Sequence, residues 1–73
     1  MSNWTVWQNG KAKQNRAARE MGLRYRWENE AKGFKIRYHT STTHSPNNLK
    51  WTNRKTEEAV DKFAHDLCQN WNG

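Results

Sequence analysis

Two short stretches of the chain carry a cation at every second position. They read LRYRWE and FKIRYH, and their cations are Arg24, Arg26, Lys35 and Arg37. Guanidinium and ammonium groups bind phosphate and carboxylate oxygens, so regularly spaced cations of this kind are typical of a site for a polyanion. The whole chain of 73 residues is basic, with a formal net charge of +6 and a pI near 9.9, which also favours an anionic partner.

The residues between these cations are apolar or aromatic, which predicts two half-buried β-strands. The loop ENEAKG, which ends at Gly33, joins the two stretches into an antiparallel hairpin. The stretch LKWT repeats the alternation and predicts a third strand, in which Leu49 and Trp51 point inward and Lys50 points outward. Residues 40–48 are rich in Ser, Thr and Asn and are predicted to form a loop.

Two helices are predicted on either side of the strands. Residues 12–21 consist mostly of good helix formers, and Gly22 follows where a C-terminal cap belongs. Residues 56–71 begin at Thr56, a capping residue, and carry an apolar stripe at helical spacing. The stripe consists of Val60, Phe63, Ala64, Leu67 and Trp71.

The order of these elements predicts an α+β fold in which a three-stranded antiparallel sheet packs on a C-terminal helix, with an additional short N-terminal helix. The sheet spans residues 23–52, and the whole chain, 1–73, is expected to be a single small domain. Residues 1–11 are either an arm or a short strand, with a turn at Asn9-Gly10. The aromatic residues, which include five Trp, are expected to do most of the packing, and Trp4 and Trp7 should cover one end of the core.

If the C-terminal helix covers the apolar face of the sheet, the opposite face is open and strongly basic. Glu28 is the only acidic residue expected there, whereas four of the other six acids, Glu57, Glu58, Asp61 and Asp66, lie on the last helix. Like charges that oppose each other across two strands destabilise a sheet by up to about 1 kcal/mol per pair, which favours a binding function for them over a role in solubility alone. The residues expected to bind duplex DNA are Arg24, Arg26, Lys35, Arg37 and Lys50, and Lys13, Arg16 and Arg19 are expected to add phosphate contacts at the rim.

The segment GLRYRWENEAKGFKIRYHT, followed by TEEAVDKFAHDL, resembles the plant ethylene-response-factor DNA-binding domain and the arm-site-binding domain of phage and transposon integrases. The matching features are the Arg-bearing first strand, the KGFKIRY strand and the T-E-E-A helix start, within residues 22–70. Those families share three strands and a C-terminal helix, and their exposed sheet face reads the major groove. The resemblance implies that Arg24, Arg26, Lys35 and Arg37 face the groove, and it implies a role in recombination or regulation of a phage or mobile element. Two features depart from the pattern, namely the longer loop at 40–48 and the additional helix at 12–21.

Two alternatives remain open at the level of the sequence. The order helix, three strands, helix also resembles the double-stranded-RNA-binding domain, although Glu57 and Glu58 stand where that family carries lysines. A small basic protein of this kind could instead be a phage protein that binds and inhibits a host protein, with Trp4, Trp7 or Trp51 as exposed anchors.

The other constellations in the sequence are weaker. Cys68 and His65 are the only candidate nucleophile and base, and no glycine-rich phosphate loop is present, so we expect no enzymatic activity. Together with His39 and His44 they could bind zinc, but the close pairs of ligands that mark structural sites are lacking, and we expect neither a metal nor another cofactor. We also expect no small-molecule substrate. A single cysteine permits no internal disulfide, and without an apolar run of membrane length the expected partner is not a membrane and the expected location is the cytoplasm of a bacterial or phage-infected cell.

Overall fold

The structure, a computed structural model, describes residues 5–6 and 12–71, with side chains from residue 16 onward. The elements in chain order are β1 (Thr5–Val6), α1 (Ala12–Met21), β2 (Arg24–Asn29), β3 (Gly33–His39), a 3-10 turn (Pro46–Asn48), β4 (Leu49–Arg54) and α2 (Glu57–Gln69). All strand pairs are antiparallel, in the spatial order β1-β2-β3-β4. The predicted α+β fold is confirmed, because β2, β3 and β4 form the three-stranded sheet and the two helices flank it in the chain. The short β1, within the segment predicted as an arm or short strand, adds a fourth strand beside β2.

Helix α1 ends in a glycine cap that turns the chain into β2. The amide of Gly22 donates to the carbonyl of Arg19, and the amide of Leu23 donates to the carbonyl of Ala18. These two bonds define a Schellman motif, which requires a left-handed residue after the helix. Gly22 has φ of +60°, a value that glycine adopts without strain.

The hairpin between β2 and β3 depends on Asn29 and Gly33. The side-chain oxygen of Asn29 accepts a hydrogen bond from the amide of Lys32, which closes the turn. Gly33 has φ of +72°, and a Cβ atom there would lie only 2.4 Å from the carbonyl oxygen of Arg54. The end of β4 thus passes directly over the position that a side chain would occupy. The register shifts between Trp27 and Asn29, so the strand carries an irregularity just before the turn.

The core lies between the inner face of the sheet and the two helices. Its fully buried residues are aliphatic or small, namely Ala17, Ala18, Met21, Leu23, Ile36, Val60, Ala64 and Cys68. The half-buried residues that surround them are mostly aromatic: Tyr25, Phe34, Tyr38, Phe63, Leu67 and Trp71. The prediction that aromatic rings do most of the packing is therefore wrong for the centre of the core, where every fully buried residue is aliphatic or small. Trp27 and Trp51 are 42% and 48% exposed.

The register of β4 corrects the predicted orientation of its side chains. Arg37 pairs with Trp51 and Tyr38 pairs with Lys50, so Trp51 shares a face with the cations of β3 whereas Lys50 lies on the inner side. Leu49 pairs with His39, so it shares the face of Trp51 and does not point inward as predicted. The physical reason is that β4 is an edge strand, where long cationic side chains can lay their apolar stems over the rim of the core and keep their charges in water. Arg54 shows this arrangement, because its guanidinium lies 4.6 Å from the ring centroid of Phe63.

Thr56 caps the start of helix α2, as predicted, and the helix covers the inner side of the sheet. The hydroxyl of Thr56 accepts a hydrogen bond from the amide of Ala59 at 3.1 Å. Of the predicted stripe, Val60 and Ala64 are fully buried. Phe63, Leu67 and Trp71 are half-buried and pack against the rim of the core. The positions of Trp4, Trp7 and the turn at Asn9-Gly10 lie outside the described residues.

Candidate nucleic-acid interface

The face of the sheet that points away from both helices, here called the outer face, carries the four cations of the hairpin. Arg24 pairs directly with Arg37, and Arg26 pairs directly with Lys35. Side chains at paired positions stand about 4.5–5.5 Å apart at their Cβ atoms, so these four residues form one patch. We call this patch the basic quartet. It follows from the register of two strands, and the sequence predicted all four of its members.

One carboxylate offsets part of this charge. Glu28 lies on the same face, and its Oε1 accepts a hydrogen bond from Nη2 of Arg26 at 3.1 Å. Its side chain is only 16% exposed, whereas that of Arg26 is 39% exposed. Four cations and one carboxylate leave the outer face of the described strands with an excess of positive charge. The ion pair with Glu28 also restricts the position of the Arg26 side chain.

Trp51 extends the outer face beyond the basic quartet. It stands opposite Arg37 on the edge strand β4. The ammonium group of Lys35 lies 4.5 Å from the centroid of the Trp51 ring, a distance typical of a cation–π interaction. The alternation in LKWT predicted that Trp51 points into the core, and only the alternative of a host-protein inhibitor considered it as an exposed anchor. Thr52 is polar, so its expected outward direction agreed with a buried Trp51. The structure instead pairs Thr52 with Ile36 on the inner side.

Negative charge gathers on the opposite side of the molecule. Glu57 and Glu58 occupy the first turn of α2, where they favour the positive end of the helix dipole. Burial raises the pKa of Tyr25, on the inner face, and the carboxylates of Glu57 and Asp61 raise the same pKa further. The acidic start of α2 therefore lies on the inner side of the sheet. The basic quartet, on the outer face, lies on the other side of the sheet from these carboxylates.

The other predicted binding residues do not join the basic quartet. Lys50 lies on the inner face, so the prediction that it shares a surface with the quartet is wrong. Arg16 and Arg19 are exposed on α1, in the layer of helices, and the Nε of Arg16 donates to Glu20 at 3.0 Å. The side chain of Lys13 lies outside the described residues.

Two histidines meet at the end of α1. The rings of His39 and His44 are stacked, with centroids 4.2 Å apart and planes 6° apart. Nδ1 of His39 donates to the carbonyl oxygen of Met21 at 3.1 Å, and Nε2 of His44 donates to that of Glu20. These contacts tie the end of β3 and the loop at 40–48 to carbonyl groups that the end of a helix leaves without a helical partner.

The four candidate zinc ligands, all of which the structure describes, are not gathered at one point. Cys68 is 2% exposed, and burial raises the pKa of its thiol, which disfavours the reactive thiolate. His65 is exposed on the surface of α2. Within residues 5–6 and 12–71, no group of three or more His, Cys, Asp or Glu side chains is placed to hold a metal ion.

The described helices are too short or too polar for any of them to cross a membrane. No protein-family model matches the chain, and neither a curated protein nor a solved structure is found to be similar to it. These comparisons neither support nor contradict the resemblance to the ethylene-response-factor and integrase arm-site-binding domains.

Proposed function

We propose that this domain is a non-enzymatic module that binds nucleic acid through the basic quartet, with duplex DNA as the partner. The observation that carries the proposal is the register of β2 and β3, which sets cations opposite each other at two positions, Arg24 with Arg37 and Arg26 with Lys35. Each such pair costs up to about 1 kcal/mol of stability in the isolated protein. An anion bound over the outer face attracts both cations of a pair and so offsets their repulsion.

Duplex DNA suits the shape of this site. It carries one negative charge per roughly 1.7 Å of helix axis, so several phosphates lie within reach of one small patch. A twisted antiparallel sheet can enter the major groove, where Arg can bind guanine and Lys can bind phosphate or base acceptors. The resemblance to integrase arm-site-binding domains extends the proposal to recombination or regulation of a phage or mobile element. The resemblance to double-stranded-RNA-binding domains makes duplex RNA the alternative partner to compare.

Lys35 and Lys50 provide a matched test, because they are the same residue type on neighbouring strands but on opposite faces. We expect Lys35→Gln to weaken duplex binding and to reduce the slope of log K against log salt by about 0.9, the value for one lost phosphate contact. Lys50→Gln should leave the slope unchanged. Fluorescence anisotropy with a labelled duplex across a salt series measures both, and duplex RNA of the same sequence is the comparison ligand.

The double variant Lys35→Gln/Arg37→Gln removes one cation from each opposed pair. Its slope should fall by about 1.8, twice the value for a single contact. Its thermal stability should stay the same or rise, because the repulsion is relieved. Equal slopes for the Lys35 and Lys50 variants, or tight binding that does not depend on salt, would contradict the proposal.

A further inference from the structure

Trp51 is a large apolar side chain in an unusual place. The two other tryptophans whose side chains the structure describes lie toward the inner side: Trp71 packs against the core, and the ring of Trp27 contacts Phe34 at 5.1 Å. Trp51 alone among these three stands on the outer face, where it is 48% exposed beside the basic quartet. Solubility does not explain an exposed indole at a charged surface, but the chemistry of a nucleotide does.

A nucleotide joins a flat aromatic base to a negatively charged phosphate. The outer face offers a partner for each part within one residue pair, because the indole of Trp51 lies next to Arg37 and under the ammonium group of Lys35. The cation–π contact with Lys35 favours one orientation of the ring. The indole is 48% exposed, so part of its surface is accessible to a base.

The bases of an intact duplex are already stacked on each other, and a protein ring cannot stack on them. Stacking on aromatic side chains is the way proteins recognise unpaired bases, and each stacked base contributes a factor of roughly 5 to 150 in affinity. The cations of the quartet do not depend on pairing, because they bind phosphate. Trp51 therefore adds a preference that the quartet does not have.

We propose that Trp51, oriented by Lys35, is a stacking site for an unpaired base, so that the preferred partner is a DNA duplex that continues into a single strand. This inference rests on the proposed function, because the basic quartet must hold the neighbouring phosphates. The duplex occupies the quartet, and the first unpaired base beyond it stacks on the indole at the edge of the sheet.

Three DNA ligands with the same duplex test this inference. One is blunt, one carries a single-stranded extension, and the third carries an extension of abasic nucleotides, which has the phosphates and sugars but no bases. The wild-type domain should bind the normal extension roughly 5- to 150-fold more tightly than the abasic one. Trp51→Ala should remove that difference, Trp51→Phe should retain part of it, and Trp27→Ala, the control at an exposed tryptophan of the inner face, should leave it intact.

The outcomes separate this inference from the proposed function. Equal binding of the normal and abasic extensions by the wild type, or equal losses in the Trp51→Ala and Trp27→Ala variants, would overturn the stacking site. Salt-dependent binding of the blunt duplex would then still support the quartet. No binding of any of the three ligands at low salt would overturn both. Circular dichroism of each variant verifies that it is folded, and the Trp51→Phe variant keeps the test valid if the alanine variant unfolds.

Discussion

Gly33 is the position where a single methyl group should damage this fold most. Its φ of +72° lies in the left-handed region, which costs a residue with a side chain about 1–2 kcal/mol. The Cβ atom of an alanine would also lie 2.4 Å from the carbonyl oxygen of Arg54 and 2.8 Å from Cα of Lys55, both below the 3.0 Å that real contacts respect. These are backbone atoms, so the end of β4 must move, at a cost of about 1–3 kcal/mol for overpacking.

The sum for Gly33→Ala is a loss of about 2–5 kcal/mol in the free energy of unfolding. A domain of 73 residues has a total stability of about 4–11 kcal/mol, so this loss removes a substantial fraction of it. For a domain of this size a loss of 2 kcal/mol lowers Tm by at least about 8 °C. Thermal and urea unfolding, followed by far-UV circular dichroism, measure the effect.

Gly22 is the matched control for this prediction. It has φ of +60°, but the nearest atoms to its Cβ position belong to the side chains of His44 and His39, at 3.2 and 3.3 Å. Gly22→Ala should therefore cost the backbone term of about 1–2 kcal/mol and a shift of these two side chains by a few tenths of an ångström, but no movement of a neighbouring backbone. Asparagine tolerates left-handed φ, so it should relieve the loss at position 22 but not at position 33. If the two alanine variants are equally stable, the close approach of β4 to Gly33 is wrong.

Two further predictions concern the helices. Thr56→Ala removes the cap of α2 and should cost about 1 kcal/mol, seen as a Tm lower by about 4–8 °C, whereas Thr56→Ser should be close to the wild type. Two hydrogen bonds lower the pKa of Glu20 below its ordinary value of 4.5. The larger effect comes from the indole Nε1 of Trp71 and the smaller from Arg16. The ionised Glu20 therefore contributes stability that is present above pH 4.5 and is lost as the pH falls through its lower pKa in the folded state. Glu20→Gln should reduce the change in Tm over this acid range, and an unchanged pH profile of Tm would contradict the role assigned to Glu20.

Local patterns predicted the hairpin and the helices because the signals needed no distant partner. Period-two alternation placed Arg24, Arg26, Lys35 and Arg37 on one side of β2 and β3, and the register confirms that they form two opposed pairs. Helical spacing and the flanking glycine and threonine gave α1 and the start of α2. Whether the quartet binds DNA stays a prediction.

The sequence could not predict the side chains of β4, because an alternating stretch defines which residues share a face but not which face that is. LKWT reads equally well with its tryptophan in or out, and only pairing with β3, after a connection of nine residues at 40–48, decides between the two. The register with β3 places Trp51 on the outer face beside the basic quartet and Lys50 on the inner face. The sequence by itself determined that one face of the hairpin is cationic, since side-chain direction along a strand is local. The tertiary structure alone decided what stands beside those cations, since that depends on a strand that arrives from elsewhere in the chain.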